Sequence, residues 1–300
     1  MRIVSLLPSA TEIICALGAE EQLVGVSHEC DFPPSVRHLP VLTSARIDSS
    51  RSSRDIDAAV RVVIRDALSI YAVDDARLAA LAPDLIVTQD LCEVCAVSLD
   101  DVRAAVAKLA HRDRVDIVSL SPTRLDDVLG DLERVAIALG LAERGAAVRA
   151  DLELRIQRVA DRAAATSTRT RVATLEWIDP IMIGGTWMPE LIELAGGTAL
   201  FATAGSPAPT VTVEQLAAAE PEVVVVKPCG FEIARSLQER AIIERIVPRG
   251  ARVYLTDGNA YFNRPGPRLV ESLEILAACV HPEAFGDLAR AHAKDIIRLA

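Results

Sequence analysis

The sequence predicts an α/β protein of two lobes with a helical stretch between them. Three observations carry that prediction. Leu78-Ala-Ala-Leu-Ala-Pro-Asp-Leu-Ile-Val-Thr-Gln-Asp-Leu-Cys92 resembles Leu216-Ala-Ala-Ala-Glu-Pro-Glu-Val-Val-Val-Val-Lys-Pro-Cys229: each reads as a helix end, a Pro-acid turn, an apolar strand and a cysteine. The uninterrupted apolar runs 85–87 and 223–226 suit parallel strands covered on both faces. A second, weaker pair joins Arg2-Ile-Val-Ser-Leu6 to Arg171-Val-Ala-Thr-Leu175, each followed by a loop and a helix that ends in glycine. Strand–loop–helix–strand therefore occurs twice, and 300 residues is about twice a typical domain.

In chain order, 2–6 reads as a strand. Pro8-Ser9-Ala10-Thr11-Glu12 opens a helix that ends at Gly18, where either Ser9 and Glu12 form a capping box or free N–H groups receive an anion. A strand at 23–27 leads to His28-Glu29-Cys30, and 48–54 is a polar loop. Between the repeats, 123–140 predicts a helix with Thr123 as N-cap and Gly140 as its stop. A second helix over about 143–165 would span roughly 35 Å. The boundaries expected are 1–121 for the first lobe, 122–167 for the bridging helices and 168–300 for the second lobe.

Composition narrows the function. A net charge of −10 argues against nucleic-acid and anionic-membrane partners, which need a basic face. No apolar stretch of about 20 residues spans a bilayer. The opening apolar run is too short for a signal peptide, which predicts a cytoplasmic protein. Aromatics make up only 3% of the chain. Six of them (Phe32, Trp177, Trp187, Phe231, Tyr261, Phe262) fall in loops that follow strands, the edge where open α/β sheets bind ligands.

The same loops hold the reactive side chains. Glu176 and Asp257 are candidate proton carriers. Arg264 and Arg268 flank a Pro-Gly-Pro turn in the loop that also holds Asn259, and their guanidinium groups suit a carboxylate or phosphate, or ion pairs with the chain's own acids. Gly184-Gly185 before Trp187 permits close backbone approach to a ligand, or forms a plain turn. Cys30, Cys92, Cys95 and Cys229 follow strands in both halves, with His28 nearby. Four thiolates suit zinc or an iron–sulfur cluster, with His28 able to substitute; thiol redox chemistry and ordinary buried thiols stay open as readings.

The opening Arg2-Ile-Val-Ser-Leu-Leu-Pro-Ser-Ala-Thr-Glu12, the Leu17-Gly18 helix end and the Val24-Gly25-Val26 strand resemble the class III periplasmic substrate-binding proteins, in the branch of the cobalamin-binding proteins of vitamin B12 uptake. The resemblance covers nearly the whole chain. It implies two Rossmann-like lobes joined by a long helix with a ligand cleft between them, a corrinoid such as cobalamin or another metal-containing small molecule as ligand, and an ABC permease as partner if a leader is missing. Under it, Trp177, Trp187, Phe231, Asn259, Tyr261, Phe262, Arg264 and Arg268 would hold the ligand. His28-Glu29-Cys30, Cys92-Glu93-Val94-Cys95 and Cys229 depart from the transport pattern. They leave open a leaderless cytoplasmic branch, or an enzyme with a cysteine-held centre served by Glu176 and Asp257.

Overall fold

The computed structural model describes residues 1–65, 71–89, 103, 115–166 and 168–299. The chain divides into two compact units. The first holds Met1–Arg51, Asp55–Pro122 and Asp127–Arg149; the second holds Ser52–Arg54, Thr123–Asp126 and Ala150–Ala300.

Unit 1 is built on a parallel sheet. Strands β1 (Ile3–Ser5), β2 (Leu23–Val26), β5 (Leu85–Gln89) and β6 (Asp116–Leu120) lie in the order β2-β1-β5-β6, and all three neighbour pairs are parallel. β3 (Thr43–Ala45) and β4 (Tyr71–Val73) form a separate antiparallel pair. The run 85–87 lies between β1 and β6 and is fully buried, as an apolar run without alternation demands. Val4, Leu6, Leu42, Leu78 and Ile86 pack together as a core cluster. Helix α1 (Pro8–Ala16) starts at Pro8, so Ser9 lies inside its first turn, and the N-cap residue Leu7 supplies no side-chain cap. The expected capping box is therefore absent, and Ser9 Oγ is buried with no hydrogen-bond partner among the described residues. α2 (Ser53–Arg65) and α3 (Asp75–Leu81) follow; Asp74 caps α3 by accepting from the Arg77 amide at 2.9 Å.

α4 (Leu125–Ala138) and α5 (Ala142–Ala164) are the predicted middle helices. At the start of α4 the Leu125 amide donates to Glu190 Oε2 at 2.9 Å, so a carboxylate remote in sequence satisfies this end of the helix. The division between units falls within α5, after Arg149.

Unit 2 is built on a seven-stranded sheet. Its path is β10 (Thr210–Val211), β8 (Ile181–Ile183), β7 (Thr170–Ile178), β11 (Val223–Val226), β12 (Arg252–Thr256), β13 (Ile296–Leu299), and β9 (Gly197–Ala199) pairs with β7. β7, β11 and β12 are parallel, and β13 returns antiparallel along β12. The four valines of β11 are completely buried. Helices α6 (Met188–Leu194), α7 (Val213–Ala218), α8 (Ile233–Gln238), α9 (Arg240–Ile246), α10 (Leu269–Val280) and α11 (Gly286–Ala291) complete the unit. Gly185 is explained by packing: a Cβ there would stand 2.4 Å from the Ala208 amide nitrogen, so its bare backbone lets residues 206–208 pass.

Candidate ligand-binding site

In unit 2 the carboxyl ends of β7, β11 and β12 place Glu176, Lys227 and the 257–268 loop along one sheet edge. Lys227 directly follows the valines of β11, and its side chain has no solvent exposure. Burial of an ammonium is expensive unless each N–H finds a partner. Its Nζ donates to Asn263 Oδ1 at 2.8 Å, lies 3.4 Å from Glu176 Oε2, and sits 6.0 Å from the centre of the Phe262 ring. Asn263 closes the loop in return, donating through Nδ2 to the Lys227 carbonyl at 3.1 Å and to the Gly258 carbonyl at 2.8 Å. Gly258 is obligatory here, because a Cβ would fall 2.1 Å from the Pro228 carbonyl oxygen.

Within the loop, Asp257 Oδ1 accepts from the Asn259 amide at 3.0 Å and the Ala260 amide at 2.7 Å. Burial still pushes the Asp257 carboxyl above its usual range, against those amides and the Arg264 charge. Arg264 is nearly buried and donates to Asn259 Oδ1 at 3.0 Å. Phe262 holds a left-handed φ of 65°. It is pinned at both ends: its amide donates to Ser272 Oγ at 2.9 Å and its carbonyl accepts from Trp187 Nε1 at 2.8 Å. Tyr261 is half-buried, with the Arg268 guanidinium 5.4 Å from its ring centre. Burial pushes its hydroxyl pKa up to about 12, so it meets a ligand as a neutral phenol.

The expected aromatic residues separate into two groups. Phe262 is 0% exposed, Phe231 3% and Trp187 5%, so these rings pack the unit and hold the loops. Trp177 and Tyr261 keep part of their surface open. Trp177 donates through Nε1 to the Ser53 carbonyl at 3.1 Å and leans on Phe231, the ring centroids 5.1 Å apart. Arg235 lies 4.2 Å over Phe231 and pairs with Glu239 at 2.9 Å. Glu176, Trp177, Cys229, Asp257, Asn259, Tyr261 and Arg268 are thus the predicted residues left partly open along this edge. A cavity of about 540 Å³ lies at the opposite, amino-terminal end of β7, between Arg169, Ala163 and the Arg124–Glu190 ion pair.

The thiol expectation fares differently. Cys92 and Cys95 lie outside the described residues. Cys30 is buried in unit 1 and receives a hydrogen bond from Thr11 Oγ1 at 3.0 Å. His28 Nδ1 lies 2.6 Å from Thr43 Oγ1 and Nε2 3.2 Å from Glu29 Oε1. Cys229 is in unit 2, its amide donating to the Glu176 carbonyl at 3.0 Å. Among the described residues, no group of three or more His, Cys, Asp or Glu could hold a metal ion. The structure therefore lends no support to zinc or an iron–sulfur cluster there.

Lys227 and Asn263 organise the edge, and residue-type reasoning passed over both. A signal was present: a lysine ending a run of four valines has nowhere to go but the interior or the sheet edge.

The family model described as periplasmic binding protein matches residues 3–247. A vitamin B12-binding protein of Vibrio cholerae is 26% identical over 275 residues, covering 91% of this chain and 86% of its own length. One from Pectobacterium carotovorum is 25% identical, covering 90% of this chain and 84% of its own. Among solved structures, a periplasmic haem-binding protein from Pseudomonas aeruginosa superposes with a TM-score of 0.70 at 22% identity, over 100% of this chain and 95% of that one. The periplasmic vitamin B12-binding protein of Vibrio cholerae gives 0.65 at 22% identity, over 93% of this chain and 96% of that one. These matches overturn the cytoplasmic expectation: the family and these structural neighbours are periplasmic proteins. The expectation rested on the opening residues alone, and they carry no weight against a match across the chain.

Proposed function

The chain belongs to the periplasmic binding protein family, and from that premise we propose that this small-molecule-binding protein takes a corrinoid of the cobalamin type. The observation that carries the reading is the similarity to vitamin B12-binding proteins over 91% of the chain. The open edge of unit 2 supports it in chemical terms. Trp177 and Tyr261 offer ring surface to a flat macrocycle. Glu176 and Asn259 offer acceptors for peripheral amides, and Arg268 offers donors. Same-family logic makes an ABC transporter the natural recipient of the ligand.

Titration of the purified protein with cyanocobalamin, read by quenching of tryptophan fluorescence, tests the proposal. A saturable one-to-one transition, weakened by Trp177→Ala and Tyr261→Ala, is the expected result. Absence of saturable binding, or binding of haemin alone, refutes it.

A further inference from the structure

His292 draws charged groups from several segments into one cluster. It lies between α11 and β13 and is 8% exposed. Its Nε2 is 3.2 Å from Glu274 Oε2 on α10, and its Nδ1 is 3.5 Å from Asp295 Oδ2 in its own segment. Glu274 shares Arg155 of α5 with Glu271, each carboxylate at 3.0 Å. Tyr261 of the ligand-edge loop stands edge-on to the imidazole, ring centroids 6.5 Å apart, with Arg268 over its ring. Asp295 also acts on both Tyr261 and Asp257.

A carboxylate at each ring nitrogen suits only the doubly protonated imidazolium. A neutral imidazole has one N–H and would leave a lone pair facing a carboxylate oxygen. The cluster then holds Glu271, Glu274 and Asp295 with one positive charge fewer. The position matters for the loop: β13 pairs with β12 through Thr256 and Ile296, immediately before Asp257. A loosened 286–299 segment is thus felt where the ligand-edge loop begins.

We propose that protonated His292 is a positioning residue for ligand binding: it clips the C-terminal segment to α10 and backs Tyr261, so that the loop is set in acid and released as pH rises. The hydrogen bond that His292 donates to Glu274 raises the imidazole pKa against the effect of burial. A raised pKa means that the clip is fully engaged below the ordinary histidine range and is lost as pH climbs through the raised value. The clip stands on the geometry alone; its link to affinity rests on the corrinoid reading.

The experiment separates the two. Amide hydrogen exchange of the free protein at pH 5.5 and 8.5, corrected for intrinsic exchange, reads the clip without ligand. Wild type is expected to lose protection in 286–299 at the higher pH, and His292→Gln to show equally low protection at both. Cyanocobalamin affinity should fall about fivefold over the same interval in wild type and stay flat in His292→Gln. Glu274→Gln is the second variant and should shift the wild-type exchange midpoint to lower pH. No pH dependence of exchange in wild type, or the same dependence in His292→Gln, overturns the clip. Exchange as expected with no cyanocobalamin binding at either pH refutes the corrinoid reading and leaves the clip standing. Binding with a flat affinity profile overturns the coupling.

Discussion

Removing Glu176 should destabilise unit 2 more than removing Lys227, although the two form one ion pair. At 3.4 Å and an effective dielectric near 20, the attraction is about 5 kcal/mol before desolvation is charged against it. The outcome of each deletion depends on what stays behind. Glu176→Ala leaves an ammonium with no exposure, held by Asn263 Oδ1 and the Phe262 ring, and stranding a buried charge costs about 3 kcal/mol or more. Lys227→Met leaves a carboxylate that keeps 30% of its side-chain surface in water. It loses the charged hydrogen bond to Asn263 but also the ammonium's desolvation cost, and methionine fills a similar volume. Its net cost is about 1 kcal/mol. Urea unfolding followed by tryptophan fluorescence isolates this unit, because both tryptophans, Trp177 and Trp187, lie in it. Equal costs, or a larger cost for Lys227→Met, would refute the reasoning that exposure of the surviving partner decides the result.

Three further outcomes follow from single contacts. Gly258→Ala should lower stability by about 2–3 kcal/mol by urea unfolding and weaken ligand binding, since the new methyl meets fixed backbone at Pro228 and Lys227. Asp257→Asn keeps an oxygen for the Asn259 and Ala260 amides and removes a carboxylate whose raised pKa makes ionisation unfavourable in the fold. The variant should match or exceed wild type by up to about 1 kcal/mol at pH 7, a margin that shrinks as pH falls through the raised value towards about 4, measured by thermal unfolding. Thr212→Ala breaks the reciprocal bonds of Thr212 and Gln215 that cap α7 and should cost about 1 kcal/mol in the same assay.

What the sequence disclosed followed from how each signal is encoded. Parallel central strands appear as unbroken apolar runs, so 85–87 and Val223–Val226 fell inside the buried strands observed. Not every helix start was legible: Asp74 and Thr212 cap α3 and α7 locally, but Glu190 reaches the Leu125 amide across 65 residues. The strand-end position of the loops was readable. Their internal wiring was not, since the Lys227–Asn263 and Lys227–Glu176 contacts span 36 and 51 residues, and no local pattern announces a pairing of that range.

The aromatic residues show that one strand-end position can serve two purposes. A twelve-residue loop at 257–268, rich in Pro, Gly and polar groups, has almost no aliphatic side chain to bury. A loop of that length costs too much conformational entropy to hold still by hydrogen bonds alone. Phe262 supplies the missing apolar volume, and Trp187 fills space beside it while its N–H takes the Phe262 carbonyl. Scarce aromatics therefore collect at strand ends for two reasons: a ligand needs open ring surface, and the loops that present it need anchors. The two uses predict opposite mutational signatures. Tyr261→Ala should weaken ligand binding with little loss of stability, whereas Phe262→Ala should cost about 3–5 kcal/mol in urea unfolding and weaken binding only as a consequence. If Phe262→Ala unfolded like wild type while ligand affinity collapsed, the anchor role would be wrong and the ring would belong to the ligand after all.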